Sequence, residues 1–184
     1  MSRLLVSPQT TPLRGRISVP GDKSISHRAV LFGALAEGIS LVRNWLPAGD
    51  TLATLEVVRA LGVPVEIDKK ETWAWDLRIE GQGLQGLGVP NKPLDCKNAG
   101  TAMRLLAGIM AGQAFPTIID GSPQLRKRPM RRIIEPLAQM GAQIAGQDGL
   151  APLKITPATL RGITYEMAVA SAQVKSAILL AGLY

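Results

Sequence analysis

KSISHRAVLFGALAEG (23–38), KNAGTAMRLLAGIMAG (97–112) and SAQVKSAILLAGLY (171–184) repeat one pattern: small polar residues, a basic residue, then an apolar run. Apolar positions recur at three- and four-residue spacing, as a helix packed along one face requires. Leu106-Ala107-Gly108 returns as Leu180-Ala181-Gly182, and Gly38 precedes Gly112 by the same interval. Ser24, Asn98 and Ser171 or Ala172 stand at the starts, where serine and asparagine act as N-caps. A sequence that resembles itself in this way is built from stacked supersecondary units.

The rest of each unit follows from the same comparison. A second helix pattern occurs in GDTLATLEVVRALGVPVEI (49–67) and KRPMRRIIEPLAQMGAQI (127–144), with Leu61-Gly62 matching Met140-Gly141 as C-caps. Short β-branched or alternating segments lie at Arg16–Val19, Ser40–Val42, Val63–Ile67, Trp75–Ile79, Thr117–Ile119, Leu153–Thr156 and Ile163–Val169. The unit reads βαβαββ, an α/β (α+β) architecture. Unit one covers about 14–80 and unit two about 93–156; a third starts near Arg161. Tyr184 falls within an apolar helix pattern, so about two and a half units are expected, the third truncated in its first helix.

Composition narrows the function classes. With 184 residues, 46% of them hydrophobic, the chain can bury a sizeable core. No apolar run reaches the roughly 18 residues of a membrane span, and no signal-peptide core is evident at the start, so a cytoplasmic, membrane-free protein is expected. Cys96 and His27 are each the sole residue of their type, which argues against a metal site and against hydrolase triads. The +7 charge calls for an anionic partner. Aromatics are only 4% and do not interleave with the basic cluster, against a nucleic-acid surface.

Four motifs carry that charge. In PGDKSISHR (20–28), Lys23 and Ser24 enter a helix and Arg28 follows one turn later on the face of Ser24, a set suited to phosphate or carboxylate. The same residues also fit a capped helix with solvated basic side chains. His27 points off that face and reads as structural or surface. In NAGTAMR (98–104), Gly100 costs about 0.5–1 kcal/mol relative to alanine in a helix, implying a need for space there or close helix packing. DGSPQLRKRPMRR (120–132) sets basic residues before a helix that Pro129 can start at its first position. They oppose the macrodipole unless an anion binds, and Arg128 beside Pro129 is the best placed to meet one. Arg131 and Arg132 read as a solvated face. In SAQVKSAILLAG (171–182), Ser171 and Gln173 offer polar contacts, while Lys175 reads as exposed. If the units pack around one axis, their first helices run parallel and their N-termini converge on one anion site.

At these four motifs the chain resembles the 3-phosphoshikimate 1-carboxyvinyltransferases, the enolpyruvyl transferases of aromatic amino acid biosynthesis that glyphosate inhibits. PGDKSISHR, NAGTAMR, the KRP step and SAQVKSA occur in family order and cover nearly the whole chain. The resemblance implies two domains of three βαβαββ units each, folded as inverse barrels. Residues 1–15 would then be a strand region belonging to the other domain, and 16–184 a truncated substrate-binding domain. It implies that the substrates are phosphoenolpyruvate and 3-phosphoshikimate, with no metal and no cofactor. Lys23 would touch both substrates; Ser24, Arg28, Ser171, Ala172 and Gln173 would hold 3-phosphoshikimate; Gly100, Arg128 and Gln173 would bound the phosphoenolpyruvate site. Asp50 and Asn98 match family positions near the site. The remaining catalytic groups would come from the missing C-terminal domain, in the same chain or as a partner. UDP-N-acetylglucosamine enolpyruvyl transferases share the fold but carry a cysteine in the loop corresponding to SPQLRKRP, where this chain has none. The third reading is a noncatalytic anion- or nucleic-acid-binding module. A salt titration against single-stranded RNA separates it: no length-dependent binding is expected, and tight length-dependent binding would favour the module.

Overall fold

A computed structural model describes residues 4–8 and 10–184. In chain order, α1 (Lys23–Leu35), β1 (Glu37–Trp45), α2 (Gly49–Ala60), β2 (Val65–Glu71) and β3 (Ala74–Gln82) form the first unit. The second comprises β4 (Leu94–Asp95), α3 (Gly100–Ala111), β5 (Thr117–Asp120), α4 (Pro123–Arg126), α5 (Arg131–Gln139), β6 (Gln143–Gln147) and β7 (Leu150–Thr156). Helix α6 (Ala172–Ala181) opens the third.

The repeat is physical. One sheet has the order β1-β3-β2, and the other the order β4-β5-β7-β6, so β1-β3-β2 corresponds to β5-β7-β6 with the same antiparallel neighbours. The second helices end identically. Gly62 and Gly141 adopt φ +84° and +99°, a left-handed conformation that glycine enters without a Cβ penalty. Gly62 N–H donates to the Arg59 carbonyl and Val63 N–H to Val58, while Gly141 donates to Ala138 and Ala142 to Leu137. Both are Schellman caps, and each turns the chain directly into the following strand.

The helices end where the two Gly pairs put the caps, α2 at Ala60 and α5 at Gln139, and the end of the second pattern, from Gln143 on, is the strand Gln143–Gln147. Other boundaries differ. Asp22, not Ser24, caps α1 by accepting from Ile25 N–H at 2.8 Å. Ala99, not Asn98, precedes α3. Pro129 lies before Met130, the N-cap of α5, whereas Pro123 takes the first position of the additional turn α4. Gly182 caps α6, so that helix ends before Tyr184, whose hydroxyl bonds Gln113 at 2.8 Å.

Two expected strands are not strands. Residues 163–169 do alternate, with Ile163, Tyr165 and Met167 turned to the core, yet among the described residues no neighbouring strand pairs with them. Residues 16–19 are exposed and unpaired; the Val19 carbonyl accepts from the Asn44 side chain at 3.3 Å instead of from a ladder. Alternation reports burial, and a strand also needs a partner. Of the proposed 1–15 strand region, residues 1–3 and 9 lie outside the described residues, and the described part contains no strand.

Helix α3 is the centre of the molecule and is buried on all sides. It contacts α1, α2, α5, α6, β5 and β7. Helix α6 lies so close that a Cβ on Gly108 would overlap the Ala177 carbonyl. Successive contacts from Thr101 to Gln173 and from Gly108 to Ala177 show that α3 and α6 run parallel. Trp45, without exposed surface to speak of, donates its indole N–H to the Ser26 carbonyl at 3.0 Å and joins β1 to α1. Gly108→Ala is expected to lower stability by about 1–3 kcal/mol through overpacking. Gly49→Ala, with open space around its Cβ, serves as the near-neutral control, and urea midpoints measure both.

Candidate anion site at three helix starts

Of the first helices of the units, α3 and α6 carry no acidic residue at the N-cap or in the first turn, so their positive dipole ends stay uncompensated there, whereas α1 has the Asp22 carboxylate as its cap. Polar side chains link them edge to edge. Arg28 on α1 donates from Nη2 to Ser176 Oγ on α6 at 2.8 Å, and from Nη1 to the Ser24 carbonyl at 3.2 Å. Gln173 on α6 donates to Thr101 Oγ1 on α3 at 2.8 Å and accepts from Arg104 Nη1 at 2.7 Å. Ser171 caps α6 through Val174 N–H, and Ala172 is exposed at its first position.

Gly100 opens α3 beneath two guanidinium groups. A Cβ there would lie 2.9 Å from Arg128 Nη1 and 3.1 Å from Arg104 Nη1, so glycine leaves the space those groups occupy. Arg128 Nη2 donates at 3.2 Å to Asn98 Oδ1, which Ser122 Oγ also reaches at 3.3 Å. The rest of the basic cluster is directed elsewhere. Arg126 clasps Asp120 through two bonds of 2.8 and 2.5 Å, while Lys127, Arg131 and Arg132 face solvent, as does Lys175.

Arg104 escaped the sequence reading. It is 6% exposed, and its bonds go to neutral oxygens of Gln173, Gly100 and Pro129. Burial first, then the charges of Arg132 and Arg128, push its guanidinium below the usual range. Its signal was present: one arginine within an otherwise apolar helix run has to be buried and hydrogen-bonded. Among the described residues, Arg28, Arg104 and Arg128 have no carboxylate partner.

Lys23 is engaged differently. It forms an ion pair with Asp50 in the first turn of α2. One turn below, His27 is fully buried with Nδ1 2.6 Å from Thr54 Oγ1 and is not at the surface. Cys96 is buried after β4, and burial raises its thiol pKa. Among the described residues no group of three or more His, Cys, Asp and Glu side chains could hold a metal ion, and no helix is long and apolar enough to cross a membrane.

Residues 8–184 match the family model described as EPSP synthase (3-phosphoshikimate 1-carboxyvinyltransferase). The chain belongs to the EPSP synthase family. The 3-phosphoshikimate 1-carboxyvinyltransferase of Acidithiobacillus ferrooxidans is 58% identical over 184 residues, covering all of this chain and 41% of that relative. The protein of the same name from Citrifermentans bemidjiense is 54% identical over 174 residues, covering 94% and 39%. A solved EPSP synthase structure from Acinetobacter baumannii superposes with a TM-score of 0.86 at 48% identity, over 92% of this chain and 38% of that one. The mixed α/β fold is that of EPSP synthases, and the chain spans 38–41% of the length of these relatives. Neither the UDP-N-acetylglucosamine transferase reading nor the noncatalytic module is favoured by these matches.

His27 gives a pH signature. Burial first, then the Lys23 charge, lowers its pKa from 6.5 to about 4, with Asp50 opposing and Arg28 assisting. The unfolded chain therefore takes up a proton that the folded chain refuses, and stability falls as pH drops from about 6.5 to about 4. The contribution, about 3 kcal/mol in full, is present above that window and gone below it. Urea unfolding at pH 7 and pH 4.5 should show this fall in the wild type and a shallower one in His27→Asn.

Proposed function

We propose that residues 16–184 form most of the substrate-binding domain of a cytoplasmic 3-phosphoshikimate 1-carboxyvinyltransferase, with residues 1–15 contributing to a second domain. The enzyme joins the carboxyvinyl group of phosphoenolpyruvate to the 5-hydroxyl of 3-phosphoshikimate through a tetrahedral intermediate and releases phosphate. The observation that carries this reading is the set of three guanidinium groups, Arg28, Arg104 and Arg128, held by neutral oxygens beside the acid-free N-termini of α3 and α6.

Such a set suits two substrates that each bear several negative charges, because preorganised cations and N–H donors offset the repulsion between them. Ser24, Arg28, Ser171, Ala172 and Gln173 bind 3-phosphoshikimate, and the Gly100 surface with Arg128 and Gln173 binds phosphoenolpyruvate. Lys23, held by Asp50, bridges the two, and Asn98 orients Arg128. Neither cofactor nor metal takes part, and nucleic acid is not a partner. The proton transfers need groups from the second domain, since the carboxylate beside Lys23, Asp50, is held in an ion pair with it.

The purified 184-residue chain should bind 3-phosphoshikimate weakly in calorimetry, with affinity falling as salt rises. Arg28→Ala should remove roughly 1.5–3 kcal/mol of that binding, the worth of a charged hydrogen bond. No product should form from both substrates. Turnover by this chain alone, or binding indifferent to Arg28, would overturn the assignment.

A further inference from the structure

We propose that His27 is a positioning residue for Lys23, held by Thr54 as the Nδ1–H tautomer, so that a buried hydrogen-bond chain sets the spacing of α1 and α2 beneath the Lys23–Asp50 pair. The proposal rests on the reading of Lys23 as a substrate-binding group and adds to it a residue that does not touch substrate.

The two helices are joined by two rungs. Lys23 and Asp50 form the upper one, and His27 and Thr54, each four residues further along its helix and so one turn deeper, form the lower. The upper rung cannot fix the helix spacing: the Lys23 side chain is 52% exposed, and an exposed ion pair is worth about 0–1 kcal/mol. The lower rung is buried. His27 has no exposed surface, and its Nδ1 lies 2.6 Å from Thr54 Oγ1, itself 3.3 Å from the Asp50 carbonyl, to which it donates.

That geometry selects a tautomer. With the proton on Nδ1, His27 donates to Thr54 and the Thr54 hydroxyl passes its own proton on to the Asp50 carbonyl. The chain then ends on the residue that holds Lys23. Nε2, buried with no partner among the described residues, is left as a bare lone pair. The other tautomer would bury an N–H donor without an acceptor, the less tolerated of the two defects. Burial and the flanking charges of Lys23 and Arg28 keep the ring neutral, with Asp50 alone favouring the cation. A neutral imidazole thus supplies one polar bond toward α2 and an apolar edge toward the core, without adding a third positive charge below the site.

His27 is the sole histidine, so its ring nitrogens can be read without assignment ambiguity. In ¹⁵N spectra of the labelled 184-residue chain at pH 7, a protonated Nδ1 and a bare Nε2 are expected, with loss of this fixed tautomer in Thr54→Val. A protonated Nε2, or a tautomer indifferent to Thr54→Val, overturns the proposal. In calorimetry with 3-phosphoshikimate, His27→Leu and Thr54→Val should each weaken binding by about tenfold, and His27→Asn should recover most of it. The loss should shrink to under about threefold on a Lys23→Met background, because the effect passes through Lys23. An equal loss on both backgrounds would make His27 merely structural and contradict the proposal. If the wild-type chain binds no 3-phosphoshikimate, the functional reading fails, while the tautomer measurement still decides the role of His27.

Discussion

Enclosure of α3 on all sides makes the position of its one charged residue, Arg104, a constraint on everything around it. A guanidinium in the apolar middle of such a helix would cost several kcal/mol unless its terminal nitrogens were hydrogen-bonded, and Arg104 leaves Nε alone buried without a partner among the described residues. Arg104 sits in the second turn, where it reaches the Gly100 and Pro129 carbonyls and Gln173 of α6. The same close approach of α6 at Gly108 that buries α3 brings Gln173 into range. Packing in the core and charge at the helix starts are therefore one arrangement.

Repetition of the unit explains why the positive ends gather. Equivalent caps at Gly62 and Gly141 and the matching orders β1-β3-β2 and β5-β7-β6 build the first two units alike, and α6 of the third runs parallel to α3. Differences between the copies then divide the work. In the first unit an acid, Asp50, stands at the start of the second helix and holds Lys23. In the second, Met130 occupies the N-cap and no acid follows it in the first turn, leaving Arg128 free of a carboxylate. A neutral His27 below Lys23 fits the same division, filling space without altering the charge balance.

Much of this was legible in local pattern. Helical periodicity located α1, α3 and α6, the Leu61-Gly62 and Met140-Gly141 pairs marked the caps, and Lys175 proved exposed as its surroundings suggested. Pairing was not legible. Ile163, Tyr165 and Met167 alternate as a strand does but lack a neighbour, and two-residue β4 is too short to leave a pattern. Cap identity also escaped, because Asp22 and Ser24 both qualify chemically and only the backbone angle at residue 22 selects the aspartate. Side-chain links across units, such as Gln173 to Thr101 and Arg28 to Ser176, depend on helix packing that no spacing within one helix encodes.

The central claim is that three helix starts in this chain act as one anion site. Amide chemical shifts of the ¹⁵N-labelled chain, followed as 3-phosphoshikimate is added, test it directly. Residues 23–25, 100–102 and 172–174 should shift together along a single binding curve, with Arg131 and Arg132 unmoved. Shifts confined to one helix start, or spread over the solvent-facing arginines, would contradict it.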